Sequence, residues 1–186
     1  MKLLRKGKKG FTLVEILLVV GFIALAGIGI YTVYTKVQMS NAALQEGKNL
    51  DTIRAGVKNL FGGSQNYATV GNLVLNQARI TPDSMRAIPY VAADANINNS
   101  FGGVVTVAPV SLGGGTNNGF RVTYSKVPGA VCAKLVTGAG TGWDAIGVTT
   151  ANNVKVFGTG NINVATLTAQ CATDTGNGVS IFFDSL

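Results

Sequence analysis

The chain has 186 residues, 47% of them hydrophobic and 12% charged, and a formal net charge of +7 at pH 7. Its length allows one domain with a buried core. Histidine is absent and only two cysteines occur, so the usual Ser-His-Asp triad and the His/Cys zinc sites are excluded. We therefore predict no enzyme, and no catalytic, cofactor-binding or metal-binding residues.

The positive charge is concentrated before Gly10. Five of the fifteen basic side chains lie there, namely Lys2, Arg5, Lys6, Lys8 and Lys9. The ten that remain face eight acidic residues, so the rest of the chain is almost neutral, and nucleic acid is not expected as a direct specific ligand. A basic segment before an apolar run is typical of an export or membrane-insertion signal.

An uncharged apolar segment follows at residues 16–35. Its length matches the roughly 20 residues that a helix needs to cross the hydrocarbon core of a bilayer. Five positive charges precede this segment and only Lys36 follows it directly. The positive-inside rule therefore places the N-terminus in the cytoplasm and directs the rest of the chain outward.

The helical pattern continues beyond the apolar segment. Apolar residues recur at spacings of three, four and seven in two series, first Val33, Val37 and Leu44, then Leu50, Ile53, Val57 and Leu60. No proline occurs before Pro82, and Gly62 with Gly63 supplies a stop signal. We predict one helix over residues 11–60, with residues 11–35 spanning the membrane.

Residues 61–186 are predicted to form a globular α+β head. The long connection at 64–100 contains a short helix near 72–79. Segments rich in Val, Ile, Thr and aromatics predict strands at 103–108, 120–126, 146–149, 154–157 and 179–183. Residues 111–119 predict a flexible hairpin loop, and residues 138–142, which lack the Lys-Ser/Thr of a P-loop, predict another flexible loop. The expected architecture is a long helix packed on an antiparallel sheet.

Two short helices are predicted in this head, each carrying one cysteine. The first spans residues 129–136 after Pro128, and the second spans 164–172 after Asn163 as N-cap. In an exported protein, Cys132 and Cys171 are expected to form one disulfide, the alternative being two buried free thiols.

Residues 8–15 read Lys-Lys-Gly-Phe-Thr-Leu-Val-Glu. This segment resembles the class III signal of type IV prepilins and pseudopilins, in which a basic leader ending in Gly precedes Phe-Thr-Leu-x-Glu and an apolar helix. The resemblance implies a leader peptide over residues 1–10, cleavage between Gly10 and Phe11 by a prepilin peptidase, and methylation of the new N-terminus at Phe11. It also implies a role for Glu15 in assembly.

The position of Glu15 in an apolar helix supports that role. A carboxylate near the start of a membrane helix is costly to bury, so it tends to be functional. After cleavage, the α-amine of Phe11 on one subunit could neutralise Glu15 on a neighbour and set the register between them. The alternative is a Glu15 that reaches the membrane interface beside an uncleaved leader.

The head resembles that of the type IVb subclass in three segments, residues 99–103, residues 128–132 and the closing strand near Phe182. The resemblance implies the pilin fold, with the region 132–171 bounded by the disulfide and forming much of the exposed filament surface. The short leader and the Phe at position 11 are instead more typical of type IVa.

The resemblance implies a structural subunit, the major pilin of a type IV pilus that serves adhesion, aggregation, motility or DNA transfer. Its expected partners are further copies of itself, the prepilin peptidase, the assembly machinery and a surface receptor or other cells. The precursor is expected in the inner membrane and the polymer on the bacterial surface. The alternatives are a minor pilin or type II secretion pseudopilin, and a membrane-anchored periplasmic binding protein that does not polymerise.

Overall fold

The computed structural model describes residues 10–64 and 66–186. Of the predicted leader peptide, only Gly10 falls within this part of the chain. Four α-helices are described: α1 Leu13–Phe61, α2 Asn72–Gln77, α3 Gly129–Ala139 and α4 Val164–Cys171. Five strands are also described: β1 Val105–Val110, β2 Gly119–Val127, β3 Ala145–Val148, β4 Thr150–Lys155 and β5 Val179–Ser185.

The chain divides into two compact units, one ending at Met39 and the other formed by Ser40–Leu186, with the boundary inside α1. In the first unit, the apolar side chains of α1 are exposed. Two of its threonine hydroxyls are paired within the helix, because Thr32 donates to the Gly29 carbonyl at 2.9 Å and Thr35 to the Thr32 carbonyl at 3.0 Å. Such local pairing is what polar side chains need in an apolar surrounding.

The second unit is built on one antiparallel sheet with the strand order β1-β2-β5-β3-β4. The β1–β2 hairpin confirms the hairpin predicted around residues 111–119. The last strand of the chain, β5, lies in the middle of the sheet, between β2 and β3. It therefore joins the first hairpin to the β3–β4 hairpin of the region between the two cysteines.

The second half of α1 packs on this sheet and confirms the predicted architecture. Leu50, Ile53 and Val57 are fully buried on one face of the helix. The core they enter is rich in aromatic rings, with the Phe120 and Trp143 ring centroids 5.8 Å apart and those of Trp143 and Phe183 5.5 Å apart. Edge and tilted contacts of this kind add to the stability gained from burial.

Two predictions about the head were wrong in detail. The fourth strand lies at Thr150–Lys155 and not at residues 154–157. Its position is set by pairing with β3, and Val156 turns away because its carbonyl accepts the N–H of Thr159 at 3.1 Å. Residues 138–142 are not a flexible loop, since α3 continues to Ala139 and a 3-10 turn follows at Gly140–Gly142.

Gly56 has a packing role that the sequence did not reveal. A Cβ at this position would lie 2.3 Å from Cγ2 of Ile80, whereas a Cβ at Gly47 of the same helix would meet nothing within 4 Å. The missing side chain lets Ile80, in the connection to β1, rest directly on α1.

Gly56→Ala should therefore destabilise the head, although alanine favours helix by about 1 kcal/mol. Overpacking costs about 1–3 kcal/mol. Because the new Cβ would lie so close to Ile80, we expect this cost to exceed the gain in helix propensity. The matched change Gly47→Ala should stabilise the head by up to about 1 kcal/mol. Guanidinium unfolding followed by the fluorescence of Trp143, the one tryptophan of the chain, measures both. Equal effects of the two changes would contradict this role of Gly56.

Candidate functional site

The predicted cleavage position lies in an open stretch before α1. Gly10, Phe11 and Thr12 precede the helix and are exposed, with Phe11 79% accessible. A Cβ at Gly10 would meet nothing within 4 Å, so the described fold does not itself require glycine there. The residues on both sides of the Gly10–Phe11 peptide bond are therefore exposed to solvent in the described structure.

Thr12 caps the start of α1. Its hydroxyl oxygen accepts the N–H of Glu15 at 3.3 Å, and its carbonyl accepts the N–H groups of Glu15 and Ile16 at 3.1 and 3.2 Å. Thr-x-x-Glu before an apolar run is the sequence pattern of a capping box. This function of Thr12 was not predicted from the sequence, although the signal is local.

Glu15 lies in the first turn of α1, where a carboxylate is favoured by the positive end of the helix dipole. Its side chain is exposed, and it takes part in neither of the two ion pairs found among the described residues. Gly10, Phe11 and Glu15 are thus neighbours along the chain, and Glu15 forms no ion pair with any cation within residues 10–64 and 66–186.

The first unit of α1 offers an extended apolar surface. One helix of the described chain, α1, is long and apolar enough to cross a membrane, with a mean hydropathy of 2.6 in its most apolar window. The side chains of this window are uncovered within one chain. Continuous apolar surface of this extent indicates contact with lipid or with other protein chains.

The two cysteines are brought together as predicted. Cys132 on α3 and Cys171 on α4 form a disulfide, with their Cα atoms 5.7 Å apart. The region that they enclose contains the β3–β4 hairpin. Because β3 pairs with β5, this region is attached to the sheet by hydrogen bonds and by the disulfide.

A buried carboxylate anchors one of the segments that resembles the type IVb subclass. Glu46 of α1 is only 1% exposed, and its Oε1 accepts hydrogen bonds from the Ser100 N–H at 2.7 Å and from the Ser100 hydroxyl. Burial raises the pKa of the Tyr124 hydroxyl well above its ordinary value, and the charge and hydrogen bonding of Glu46 raise it further. This role of Glu46 could not be predicted from the sequence, because Ser100 and Tyr124 are far away along the chain.

The turn that Glu46 holds requires its particular residues. Asn99 Oδ1 accepts the N–H groups of Phe101 and Gly103 at 2.9 Å, and its amide donates to the Ser125 carbonyl at 2.8 Å. A Cβ at Gly103 would lie 1.9 Å from that carbonyl oxygen. The Asn and the second Gly of this segment are thus fixed by hydrogen bonding and by close backbone approach.

The central strand β5 is fixed by an ion pair whose carboxylate is buried. Asp184, which is 1% exposed, accepts two hydrogen bonds from Arg121 of β2, at 2.6 and 2.8 Å. Hydrogen bonding to Asp184 raises the pKa of Arg121 above its ordinary value. Two-point pairing fixes the register of β5 beside β2, and thereby the attachment of the disulfide-bounded region.

No group of three or more His, Cys, Asp or Glu side chains suited to a metal ion occurs within residues 10–64 and 66–186. The buried cation Lys155 is held by carbonyl oxygens instead, donating to Gly140 at 3.3 Å and to Trp143 at 2.5 Å. It fixes the turn at the C-terminal end of α3, where a positive charge is favoured.

The comparisons with known proteins agree with this architecture. The sequence model of the family described as PilS N terminal matches residues 40–183. Among curated proteins, the chain is similar to the "Major structural subunit of bundle-forming pilus" of Escherichia coli O127:H6, with 25% identity over 168 residues, 89% of this chain and 84% of the relative.

Two solved structures are similar to the chain. The crystal structure of a type IVb pilin from Salmonella typhi has a TM-score of 0.57 and 26% identity, covering 75% of this chain and 96% of its own. TcpA, a type IV pilin from Vibrio cholerae El Tor, has a TM-score of 0.52 and 20% identity, covering 80% and 99%. The second likeness concerns the fold alone.

Proposed function

The chain belongs to the PilS family of type IVb-like type IV pilins, and we propose that it is the major pilin of its filament. It is a structural subunit and not an enzyme. Relatives of similar length are major subunits of a pilus, which supports the major role over that of a minor pilin or pseudopilin. Further copies of this chain are its principal partner.

The observation that carries this proposal is the uncovered apolar surface of α1 between Leu13 and Tyr34. In a precursor, lipid of the inner membrane would cover these side chains. In a filament, the same side chains would be covered by the equivalent helices of neighbouring copies. A periplasmic binding protein that never polymerises needs the first arrangement only.

Processing would convert one arrangement into the other. The domain organisation that we propose is a leader over residues 1–10, an N-terminal helix over 11–60 with its membrane part at 11–35, and a head over 61–186. A prepilin peptidase would cut between Gly10 and Phe11 and methylate Phe11, and the pilus assembly machinery would then extract the subunit. The heads would form the filament surface, where a receptor or other cells bind.

Glu15 would act during assembly. The new α-amine of Phe11 carries a positive charge into an apolar filament core, and Glu15 of a neighbouring subunit is suited to neutralise it. The attraction between the two charges offsets part of the cost of removing both from water, whereas one buried charge without its partner is strongly unfavourable. Only the register that pairs them would be stable.

Shearing the surface filaments tests the proposal. We expect electron microscopy to show abundant filaments that disappear when the gene is deleted. Mass spectrometry of their main subunit should give Phe11 as the N-terminal residue, carrying one methyl group. Abundant filaments in which this chain is a trace component would indicate a minor pilin, and an intact Met1 in a membrane-bound chain would contradict the pilin proposal.

A further inference from the structure

The carboxylate of Asp174 accepts hydrogen bonds from three main-chain N–H groups. Its Oδ2 accepts from Gly129 at 2.8 Å, and its Oδ1 accepts from Gly176 and Gly178, also at 2.8 Å. These donors favour the ionised carboxylate and hold the pKa of Asp174 below its ordinary value. The bonds to Gly176 and Gly178 form a local turn, whereas the bond to Gly129 spans 45 residues.

The long-range bond supplies a cap that α3 lacks. Pro128, at the N-cap position, makes no side-chain hydrogen bond to the helix. Asp174 instead binds the N–H of Gly129, the first residue of α3, where a negative charge is favoured by the helix dipole. A Cβ at Gly129 would lie 2.5 Å from the Cys171 carbonyl oxygen, so glycine allows the two segments to approach this closely.

The two residues joined by this hydrogen bond are each close in sequence to one cysteine of the disulfide. Gly129 is three residues before Cys132, and Asp174 is three residues after Cys171. A contact between Gly129 and Asp174 therefore closes the same loop as the disulfide and holds the two cysteines near each other. Closing the loop beforehand reduces the entropy that oxidation must remove.

We propose that Asp174 is a positioning residue for formation of the Cys132–Cys171 disulfide. In the reduced, folded head its carboxylate holds the start of α3 against the end of α4, so that the two thiols already face each other. Oxidation then needs only a disulfide oxidant: the two thiols lose two electrons and two protons and form one S–S bond, while the oxidant is reduced to two thiols. This inference does not depend on the filament.

Asp174→Asn separates this role from that of the local turn. The asparagine keeps Oδ1, which can still accept from Gly176 and Gly178. It replaces Oδ2 by an NH₂ group, which cannot accept from Gly129. Asp94→Asn is the matched control, since Asp94 Oδ1 accepts from the main-chain and side-chain N–H groups of Asn96 within a local turn that contains neither cysteine.

The test equilibrates the full chain in detergent with oxidised and reduced glutathione, traps the thiols by alkylation, and measures the oxidised fraction by mass spectrometry. The effective concentration of one thiol at the other should fall about three- to tenfold in Asp174→Asn, which corresponds to the usual net contribution of one hydrogen bond. Asp94→Asn should match the unaltered chain. An unchanged value in Asp174→Asn would show that helix packing alone positions the thiols, and would overturn the proposal.

A second measurement does not require any change at Asp174. In a chain carrying Cys132→Ala and Cys171→Ala, the proposal expects the Gly129 amide to be protected against hydrogen exchange, because Asp174 still binds it. Rapid exchange of that amide in an otherwise protected α3 would overturn the proposal. It would mean that the contact forms only after the disulfide.

Discussion

Glu15→Leu should yield normal amounts of cleaved, membrane-bound protein and few or no filaments. A carboxylate within a membrane helix is unfavourable by up to about 3 kcal/mol, so its replacement by leucine should leave insertion unharmed or improved. Cleavage should also proceed, because Gly10 and Phe11 are unaltered. If Glu15 had only a structural role in the monomer, it would be dispensable.

The filament should respond in the opposite way. Without Glu15, the amine of Phe11 enters the apolar core with no partner, and breaking a buried pair in this way typically costs about 3–5 kcal/mol. That cost would recur at every added subunit. Quantitative electron microscopy of sheared filaments, beside immunoblots of the membrane fraction, measures assembly and insertion separately.

Glu15→Gln is the matched control for charge. It preserves the size of the side chain and removes its negative charge, while one carboxylate oxygen is replaced by an NH₂ group that cannot accept a hydrogen bond, so it should also fail to assemble. Each variant must be expressed alone, because mixed filaments with the natural chain would hide part of the defect. Filaments of natural number and length from Glu15→Leu alone would refute the proposed pairing.

Features that are determined by residues close together in the sequence could be predicted from it. The helix predicted over residues 11–60 is observed at Leu13–Phe61, since apolar spacing and the Gly62-Gly63 stop are local signals. The N-cap at Asn163 is confirmed by its 3.0 Å bond from the Thr166 N–H. The disulfide is confirmed as well, and here two cysteines allowed only one pairing.

The elements that depend on distant partners could not be predicted in the same way. The boundaries of β4 follow from the register that pairs Ile146 with Lys155. The composition of the segment does not determine that register. Glu46 looks like any polar residue of an amphipathic helix until Ser100 is placed beside it. Asp174 likewise acts on a helix that begins 45 residues earlier.

The candidate sites also differ in whether they are formed by contiguous residues or by distant ones. The segment 10–15 could be proposed as a processing and assembly site because its pattern is contiguous, and its function stays a prediction until the mature N-terminus is measured. Thr12 belongs to the same contiguous pattern, and its Thr-x-x-Glu spacing is a local signal for its capping role. What secures the disulfide-bounded region, by contrast, is a set of long-range bonds.

Cys132→Ser should destabilise the head strongly and reduce the number of surface filaments. The cysteines are 39 residues apart, and the loop-entropy model assigns about 4 kcal/mol to a crosslink of this span. Native disulfides of small exported domains commonly contribute about 2–5 kcal/mol. The serine hydroxyl would occupy a fully buried position, which adds a cost unless it donates to a helix carbonyl.

The paired variant Cys132→Ala with Cys171→Ala isolates the crosslink from that polar cost and leaves no free thiol. Its free energy of unfolding, followed by Trp143 fluorescence in guanidinium, should fall by nearly the same amount as that of the natural chain after reduction. Cys132→Ser should be lower still by the cost of its hydroxyl. If reduction and the alanine pair both leave the unfolding midpoint unchanged, the disulfide does not stabilise the head. In that case, a loss of filaments in the alanine pair could not be explained by unfolding of the head. It would have to arise from a change in the filament surface.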